Sequence, residues 1–491
     1  MNRCPVLILS TVIGVFLLLL QPLPSECGSP LPNFVFILTD DLGYGDLGCY
    51  GNPIIKTPRL DRMAERGVRL TQFYVTSPVC SPTRASFMTG LHPQRFEIHH
   101  ADLPEHLPRY FLPDSALTLP EVLKTKGYAT AHFGKWHLGE PPDTSGPRSQ
   151  GLDFFFGGLG GRPSSSWIKF ARSNDPQFFT NEEPAQTEKG HVTDLTTDRV
   201  LEHLQQAASE GIPFYYNVWF NAPHEPLTPE VDEISLYENV PNLTEKQKVY
   251  YGTVSNMDKN VGRILDKLSE LGIEKNTFVF FASDNGPETH AGKYSAGSAK
   301  PLRGIKTQLW EGGIRVPGIA YWPGNLPEGR TCETVGSSLD LFPTVCELAE
   351  VENWETHPRD EGINFLPYMR ERGGTVERQL YFEFHGVQRG GSGNANEVGA
   401  EPSGTLAMRK GDWKIHLFPG LDRKYLFNLR EDPGESKDLS KDLPDRLADL
   451  EREALAWYGD LPKQENLFYL NLPVPANEEE ANRVPCMNPH E

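Results

Sequence analysis

Short apolar runs that alternate with helical patterns constrain the fold of this chain more than any other feature of its sequence. The strand-like runs occupy residues 34–38, 128–133, 214–220 and 278–282. Between them, Pro58 suits the first turn of a helix and Gly67 suits its end. Thr118 and Glu121 have the spacing of a capping box at the start of another helix. Strands that alternate with helices predict an α/β fold, in which helices flank a mostly parallel sheet on both faces.

The pattern changes beyond about residue 375. Short runs joined by turns predict antiparallel strands at 381–384, 406–408, 413–417 and 425–428, and a helical pattern follows at 444–458. We therefore expect a main α/β domain at 29–374 and a smaller C-terminal α+β subdomain at 375–472. Residues 473–491 are polar and contain proline, which is typical of a loosely held tail.

The amino terminus has the pattern of an export signal. Arg3 precedes an apolar run at 6–20, which proline and glycine then interrupt. The run is short for a membrane span and suits the core of a secretory signal, so we assign 1–28 to a signal peptide. An uncleaved anchor is the weaker alternative, and Glu26 before Cys27 fits a lipidation site poorly. We expect export to an extracellular, periplasmic or lysosomal compartment, depending on the host, without stable membrane insertion.

Charge and cysteine content exclude several classes of protein. The chain has 66 acidic and 47 basic side chains, a formal net charge of −19. The broad positive footprint of a nucleic-acid-binding protein is missing, but a few cations in a cleft can still bind a small anion. The 7 cysteines are too scattered for a disulfide scaffold. Cys332 and Cys346 can form a bridge or remain two buried thiols, and the sequence leaves both this choice and the oligomeric state open.

Acidic and amide side chains stand directly after two of the predicted strands. Asp40 and Asp41 follow the first run, and Asp284 and Asn285 follow the run at 278–282. The carboxyl ends of parallel strands meet at one edge of a sheet, so these side chains are expected to lie together. Oxygen ligands of this kind suit calcium or magnesium better than zinc or copper. A cation would also relieve the repulsion between neighbouring carboxylates.

Cationic side chains and histidines indicate an anion-binding side of the same site. Arg84, Lys135 and Lys306 are candidate partners of a tetrahedral anion, with His137 and His224 as proton carriers. Each lysine or arginine alone would be interpreted as a solvated surface charge, and His224 alone as a capping or core histidine. Their assignment to a common site therefore depends on the segment that begins at Cys80.

A cysteine stands at the predicted start of a further helix. Pro82 suits a first helical turn, which places Cys80 at the helix amino terminus beside free N–H groups that favour an anion. A reactive thiolate is one interpretation of this position. Against it, the sequence shows no thiol-protease arrangement, and a hard cation is a poor companion for a thiolate.

The same segment resembles a known family. The run Cys80-Ser81-Pro82-Thr83-Arg84, with Thr89-Gly90 after it, is similar to the sulfatase motif whose cysteine a separate maturation enzyme oxidises to formylglycine. Other segments resemble the family in its order, namely 40–46, 134–139, 283–286, 306–313 and 432–435. The closest branch is that of the arylsulfatases and N-acetylgalactosamine-6-sulfatases. The resemblance implies an alkaline-phosphatase-like fold and a sulfatase catalytic domain at 29–374.

Carried onto this sequence, the resemblance also implies a metal and a nucleophile. One calcium ion would be bound by Asp40, Asp41, Asp284, Asn285 and the modified Cys80. Cys80 would become 3-oxoalanine (formylglycine) and hydrate to a geminal diol, one hydroxyl of which attacks sulfur.

The remaining site residues acquire roles from the same resemblance. Arg84, Lys135 and Lys306 would balance the charge of the sulfate oxygens. His224 and Lys306 would assist departure of the alcohol, and His137 would take a proton from the second hydroxyl so that the aldehyde re-forms and expels sulfate.

The resemblance is weakest at 140–190, where we expect the substrate pocket to be shaped. It favours a sulfated carbohydrate as substrate, with aryl sulfates as artificial substrates. Two alternatives stay open: a phosphodiesterase or phosphonate hydrolase of the same superfamily, and an inactive relative that only binds sulfated glycans.

Overall fold

A computed structural model gives the structure of most of the chain. The described residues are 30–101, 111–141, 145–160, 167–168, 178–184, 190–228, 231–289, 293–352, 361–371, 376–385, 403–419 and 423–462. The predicted signal peptide and the predicted tail lie outside these ranges, as do Cys4, Cys27 and Cys486.

Seventeen strands are formed by the described residues. They are β1 (Asn33–Thr39), β2 (Val68–Tyr74), β3 (Ala129–Gly134), β4 (Phe154–Gly157), β5 (Trp167–Ile168), β6 (Phe179–Thr180), β7 (Glu183–Pro184), β8 (Gly190–His191), β9 (Phe214–Trp219), β10 (Thr277–Ser283), β11 (Arg315–Tyr321), β12 (Arg330–Cys332), β13 (Gly336–Ser337), β14 (Gln379–Glu383), β15 (Leu406–Lys410), β16 (Trp413–Leu417) and β17 (Lys424–Asn428).

The same residues form nine α-helices. They are α1 (Pro58–Glu65), α2 (Cys80–Thr89), α3 (Leu119–Lys124), α4 (Val192–Glu210), α5 (Glu245–Glu270), α6 (Glu311–Ile314), α7 (Leu341–Leu348), α8 (Leu366–Arg370) and α9 (Pro444–Gly459). The predicted helix starts are confirmed, since Pro58 opens α1 and Thr118 precedes α3 with its N–H donating to Glu121.

One large sheet organises the main part of the molecule. Its strand order is β12-β2-β11-β10-β1-β9-β3-β4-β6-β7, with β13 also paired to β2. The centre is parallel, because β1 pairs with both β9 and β10, and β3 pairs with β9 and β4 in the same sense. Every residue of β1, β9 and β10 is buried, as both faces of a parallel sheet require. The predicted mostly parallel α/β fold is confirmed.

Antiparallel strands complete one side of this sheet. β11 pairs antiparallel with β10 and with β2, and its register to β2 shifts between Val316 and Gly318. Pro317 lies at this shift, where a residue without an N–H is tolerated because the ladder is already interrupted.

A separate four-stranded antiparallel sheet forms the C-terminal part, in the order β14-β15-β16-β17. Leu406, Met408 and Ile415 pack in one cluster with Leu450 and Ala454 of α9. The predicted antiparallel sheet and its following helix are therefore confirmed, while the domain boundaries stay a prediction.

Cys332 and Cys346 are both buried and free, so of the two alternatives the structure has separate thiols.

Within the described ranges, no helix combines the length and the apolar character needed to cross a membrane.

Candidate active site

The site lies at the carboxyl edge of the central parallel strands, where open α/β sheets bind ligands. Backbone hydrogen bonds continue the sheet beyond the strand ends. Asp284 N donates to Thr39 O at 2.9 Å, and Lys135 N donates to Trp219 O at 2.8 Å. The residues that follow β1, β3, β9 and β10 are thereby held side by side.

Helix α2 brings a thiol to this edge. Cys80 is its first residue, Val79 is the extended residue before it, and Pro82 lies in the first turn, where no N–H is required. The helix ends at Gly90, whose φ of 67° is left-handed. The Cys80 Sγ lies 3.3 Å from Oδ1 of Asp40. The predicted helix start is confirmed, and it directs the thiol at the first acidic residue.

Asp40, Asp41, Asp284 and Cys80 form a buried cluster of potential metal ligands. One ligand atom from each lies within 4.8 Å of the others. Asp41 has a left-handed φ of 67°, and its N–H donates to Oδ1 of Asp284 at 3.3 Å. Asn285 donates its Nδ2 to Asp41 at 2.8 Å, while its Oδ1 is buried without a hydrogen-bond partner. A buried unpaired carbonyl oxygen beside three carboxyl groups fits a hard cation.

Burial and charge set the pKa values of this cluster. Burial alone would raise the pKa of Asp40, but Lys135 and then His224 hold it well below its usual value. Burial and the charge of Asp40 raise the pKa of Asp284 to about 7. Burial, with Asp40 second, raises the pKa of the Cys80 thiol well above its ordinary value. The surroundings therefore do not favour the thiolate interpretation.

Cationic side chains surround the carboxyl groups. The Lys135 Nζ lies 2.6 Å from Asp40, and the Lys306 Nζ lies 2.7 Å from Asp41. The His224 Nε2 lies 3.7 Å from Asp41. Burial lowers the pKa of His224, and the neighbouring Asp40 carboxylate opposes this shift.

Arg84 is fully buried and engaged by its neighbours. Its Nε and Nη2 donate to Oδ2 of Asp284 at 3.0 and 2.7 Å, and its Nη1 donates to the Lys135 carbonyl at 2.8 Å. The guanidinium also stacks over Trp219 at 5.3 Å. These contacts stabilise a carboxylate of the cluster and hold the backbone that carries Lys135.

His137 is positioned through the chain that follows β3. It is buried, has a left-handed φ of 58°, and donates its N–H to the Leu159 carbonyl at 2.8 Å. It stands two residues after Lys135, and its predicted proton-transfer role stays a prediction. Nine of the ten predicted site residues are joined by direct contacts at this edge: Asp40, Asp41, Cys80, Arg84, Lys135, His224, Asp284, Asn285 and Lys306. His137 is placed beside them by its position in the chain after Lys135.

A second buried charged cluster, which the sequence did not predict, contacts the residues that follow Lys306 in the chain. Its members are Glu311, Lys414, His416 and Glu435. Lys414 and His416 alternate with apolar residues in β16, a pattern that ordinarily indicates a solvent face. The burial of both comes from contact with the main domain, which strand periodicity cannot report.

Comparisons with known proteins agree with this architecture. The sulfatase family profile matches residues 32–351. The chain is 35% identical to the N-acetylgalactosamine-6-sulfatase of Canis lupus familiaris over 384 residues, 73% of this chain and 70% of that protein. The chain is also similar to the protein in the crystal structure of Ps i-CgsB in complex with k-i-k-neocarrahexaose. The two sequences are 28% identical, and the structures have a TM-score of 0.76 over 88% of this chain and 93% of that one.

A phosphonate monoester hydrolase from Silicibacter pomeroyi shares the fold, with a TM-score of 0.60 and 17% identity over 88% of this chain and 96% of that one. The fold and the relatives together define the protein as a sulfuric ester hydrolase. The chain belongs to the sulfatase family.

Proposed function

We propose that this enzyme hydrolyses sulfate esters of carbohydrates, with a nucleophile made from Cys80 and with one bound calcium ion. The observation that carries the proposal is the position of the Cys80 thiol, which opens α2 and faces Asp40 inside the buried acidic cluster. A buried protonated thiol is a weak nucleophile, so the position makes chemical sense for a modified side chain.

The conversion of Cys80 replaces its CH₂SH group by an aldehyde. The Cβ carbon would lose two electrons and two protons to an acceptor such as dioxygen in the maturation enzyme, water would supply the aldehyde oxygen, and sulfur would leave as hydrogen sulfide. Hydration of the aldehyde gives the 3-oxoalanine diol that we propose as the nucleophile.

Asp40, Asp41, Asp284 and Asn285 would hold the calcium ion together with modified Cys80. The orphaned Oδ1 of Asn285 and the three carboxyl groups supply the oxygen ligands that calcium prefers. When bound, calcium would stabilise negative charge on a sulfate oxygen and on the nucleophile.

The cations and histidines would then serve the ester. Lys135 and Lys306, which face the acidic cluster, would be released toward an anionic substrate once calcium balances the carboxylates. Arg84, which donates to Asp284 at 2.7 Å, would orient that carboxylate and, with Lys135 and Lys306, balance the charge of the sulfate oxygens. We propose that His224 and Lys306 assist departure of the alcohol, and that His137 removes the proton that allows sulfate to leave.

The proposed substrate class comes from the relatives. One is named for sulfate on N-acetylgalactosamine, and a solved relative holds an oligosaccharide. Much of 140–190, where we expect specificity to be determined, lies outside the described residues. We also propose export through the signal at 1–28, and the boundaries 29–374, 375–472 and 473–491 stay part of the proposal.

Parallel assays test this function against its rivals. Protein produced with the maturation enzyme is offered matched aryl sulfates, phosphate diesters and phosphonate monoesters, and then sulfated oligosaccharides, with and without a calcium chelator. The proposal expects sulfate release that the chelator abolishes. Preferred turnover of the phosphorus esters would support the phosphonate hydrolase alternative, and glycan binding without turnover would support the inactive relative.

A further inference from the structure

Lys306 is carried by residues 304–310, which have neither helix nor strand structure and which we call the Lys306 loop. One side of this loop is bound to the active site. Lys306 N donates to the Pro287 carbonyl at 3.0 Å, and Thr307 N donates to the Pro78 carbonyl at 3.0 Å. Pro78 lies two residues before Cys80, so the loop is tied directly to the chain that presents the thiol.

The other side of the Lys306 loop is bound by the C-terminal part of the chain. Leu309 N donates to Oγ of Ser403 at 2.7 Å. The Leu309 carbonyl accepts a hydrogen bond from the Nζ of Lys414, on β16, at 2.8 Å. Both backbone groups of Leu309 are therefore held by side chains from outside the main sheet.

The ammonium group of Lys414 is fully used in this contact. Besides Leu309, its Nζ meets Oε1 of Glu311 at 2.9 Å and Oε1 of Glu435 at 3.0 Å. An ammonium group has three N–H donors, and each has an acceptor here. Glu435 closes the arrangement, because its Oε2 accepts the Glu311 N–H at 2.6 Å. Lys414 is completely buried, so water does not compete for these bonds.

Backbone strain next to Lys306 shows that the loop needs such support. Thr307 has a φ of 71°, a left-handed conformation that β-branched residues rarely adopt. Strained residues persist where the surrounding structure determines their conformation. Here the hydrogen bond to Pro78 on one side and the bonds from Ser403 and Lys414 on the other fix the loop.

We propose that Lys414 is a positioning residue for Lys306. Its ammonium group binds the Leu309 carbonyl and so fixes the backbone of the Lys306 loop. The fixed backbone in turn holds the Nζ of Lys306 at 2.7 Å from Asp41, where it would assist the leaving oxygen of the ester. The inference rests on the proposed function, in which Lys306 assists departure of the alcohol. It gives the C-terminal sheet a part in catalysis without contact to the substrate.

The test compares substrates that differ in their leaving group. Phenyl sulfate needs more assistance to its departing oxygen than 4-nitrophenyl sulfate. In Lys414→Met we expect kcat/KM for phenyl sulfate to fall on the order of 10- to 100-fold, and for 4-nitrophenyl sulfate clearly less, because misplacement of a catalytic group is costly. A loss of folded enzyme would reduce both rates by the same factor.

A double-mutant cycle with Lys306→Ala separates positioning from other effects. If Lys414 acts through Lys306, Lys414→Met has little further effect in the Lys306→Ala background. Losses that multiply would overturn the inference. Lys410→Met is the matched control, because Lys410 lies on neighbouring β15 and pairs with Glu453 away from the loop.

Two further results keep the outcomes distinct. If Lys414→Met does not fold, Ser403→Ala carries the same two tests, since it removes one bond to Leu309 and leaves the ion pairs in place. If Lys306→Ala itself leaves the leaving-group dependence unchanged, the proposed function fails at Lys306. If Lys306→Ala changes it while Lys414→Met and Ser403→Ala do not, only the positioning inference fails.

Discussion

The surroundings of Cys80 are formed by the amino terminus of α2 and by Asp40. The start of α2 supplies free backbone N–H groups, and Asp40 accepts from the thiol at 3.3 Å. Both follow from local sequence, since Pro82 sets the helix start and Asp40 directly follows β1. Local sequence therefore predicted the position of each residue in its element, whereas their assignment to one site came from the resemblance to the sulfatase motif.

Replacement of Cys80 tests the nucleophile. We expect Cys80→Ala to reduce sulfate release to background, because alanine offers no group that can be converted to an aldehyde, while circular dichroism and thermal unfolding stay close to the parent protein. Cys346→Ala, at another buried free thiol, is the control and is expected to keep its activity. Near-parental activity of Cys80→Ala would rule out the proposed mechanism.

Replacement of Asp284 tests the metal ligands. Asp284→Asn keeps the shape and an acceptor for Arg84 but removes one negative charge from the cluster. We expect calcium affinity and kcat to fall together by at least about tenfold, since ligand charge tunes calcium binding. Calorimetry and activity at graded calcium concentrations measure both. Asp153→Asn, at a half-exposed residue, is the control, and unchanged calcium affinity in Asp284→Asn would show that the assigned ligand set is wrong.

Helices and strands could be predicted where a short stretch of sequence carries the pattern by itself. Compact apolar runs indicated β1, β9 and β10, which the structure places side by side. The antiparallel pairing of β11 was not predicted, because strand direction depends on the connection and on partners far along the chain. Lys414 was missed for a related reason, since the periodicity of β16 is the same whether its second face meets water or another domain.

Gly134, the last residue of β3, offers a test at this scale. Its φ is 103°, and a Cβ built there would lie 2.0 Å from the Trp219 carbonyl oxygen. We expect Gly134→Ala to push β3 away from β9 and to lower the free energy of unfolding by about 2–4 kcal/mol. The same displacement should move Lys135 and so reduce activity. Gly127→Ala, where φ is also positive but nothing lies within 4 Å, is the control for strain alone. Equal effects of the two variants would contradict the close-contact explanation.

At the scale of the whole molecule, the C-terminal sheet and the main domain share a buried ionic interface. His416 donates to Glu435 at 2.8 Å and packs on Trp310, with ring centroids 4.3 Å apart. Burial lowers the pKa of His416 to about 4, against the opposing effect of Glu435. The neutral imidazole is therefore the form that the folded protein accepts.

This shift predicts a pH dependence of stability. The unfolded protein protonates His416 near pH 6.5, whereas the folded protein resists protonation down to about 4. The contribution is present above pH 6.5 and is lost as the pH falls toward 4, with a slope of up to about 1.4 kcal/mol per pH unit. Urea unfolding at several pH values should give a shallower slope for His416→Gln than for the parent. An unchanged slope would show that another group is responsible.

The most direct test of the whole account is the mass of the peptide that contains Cys80. The protein is purified from a host that has the maturation enzyme, digested, and measured by mass spectrometry. The account predicts the mass expected when CH₂SH is replaced by CHO, in a preparation that releases sulfate. An unmodified cysteine in an equally active preparation would contradict it.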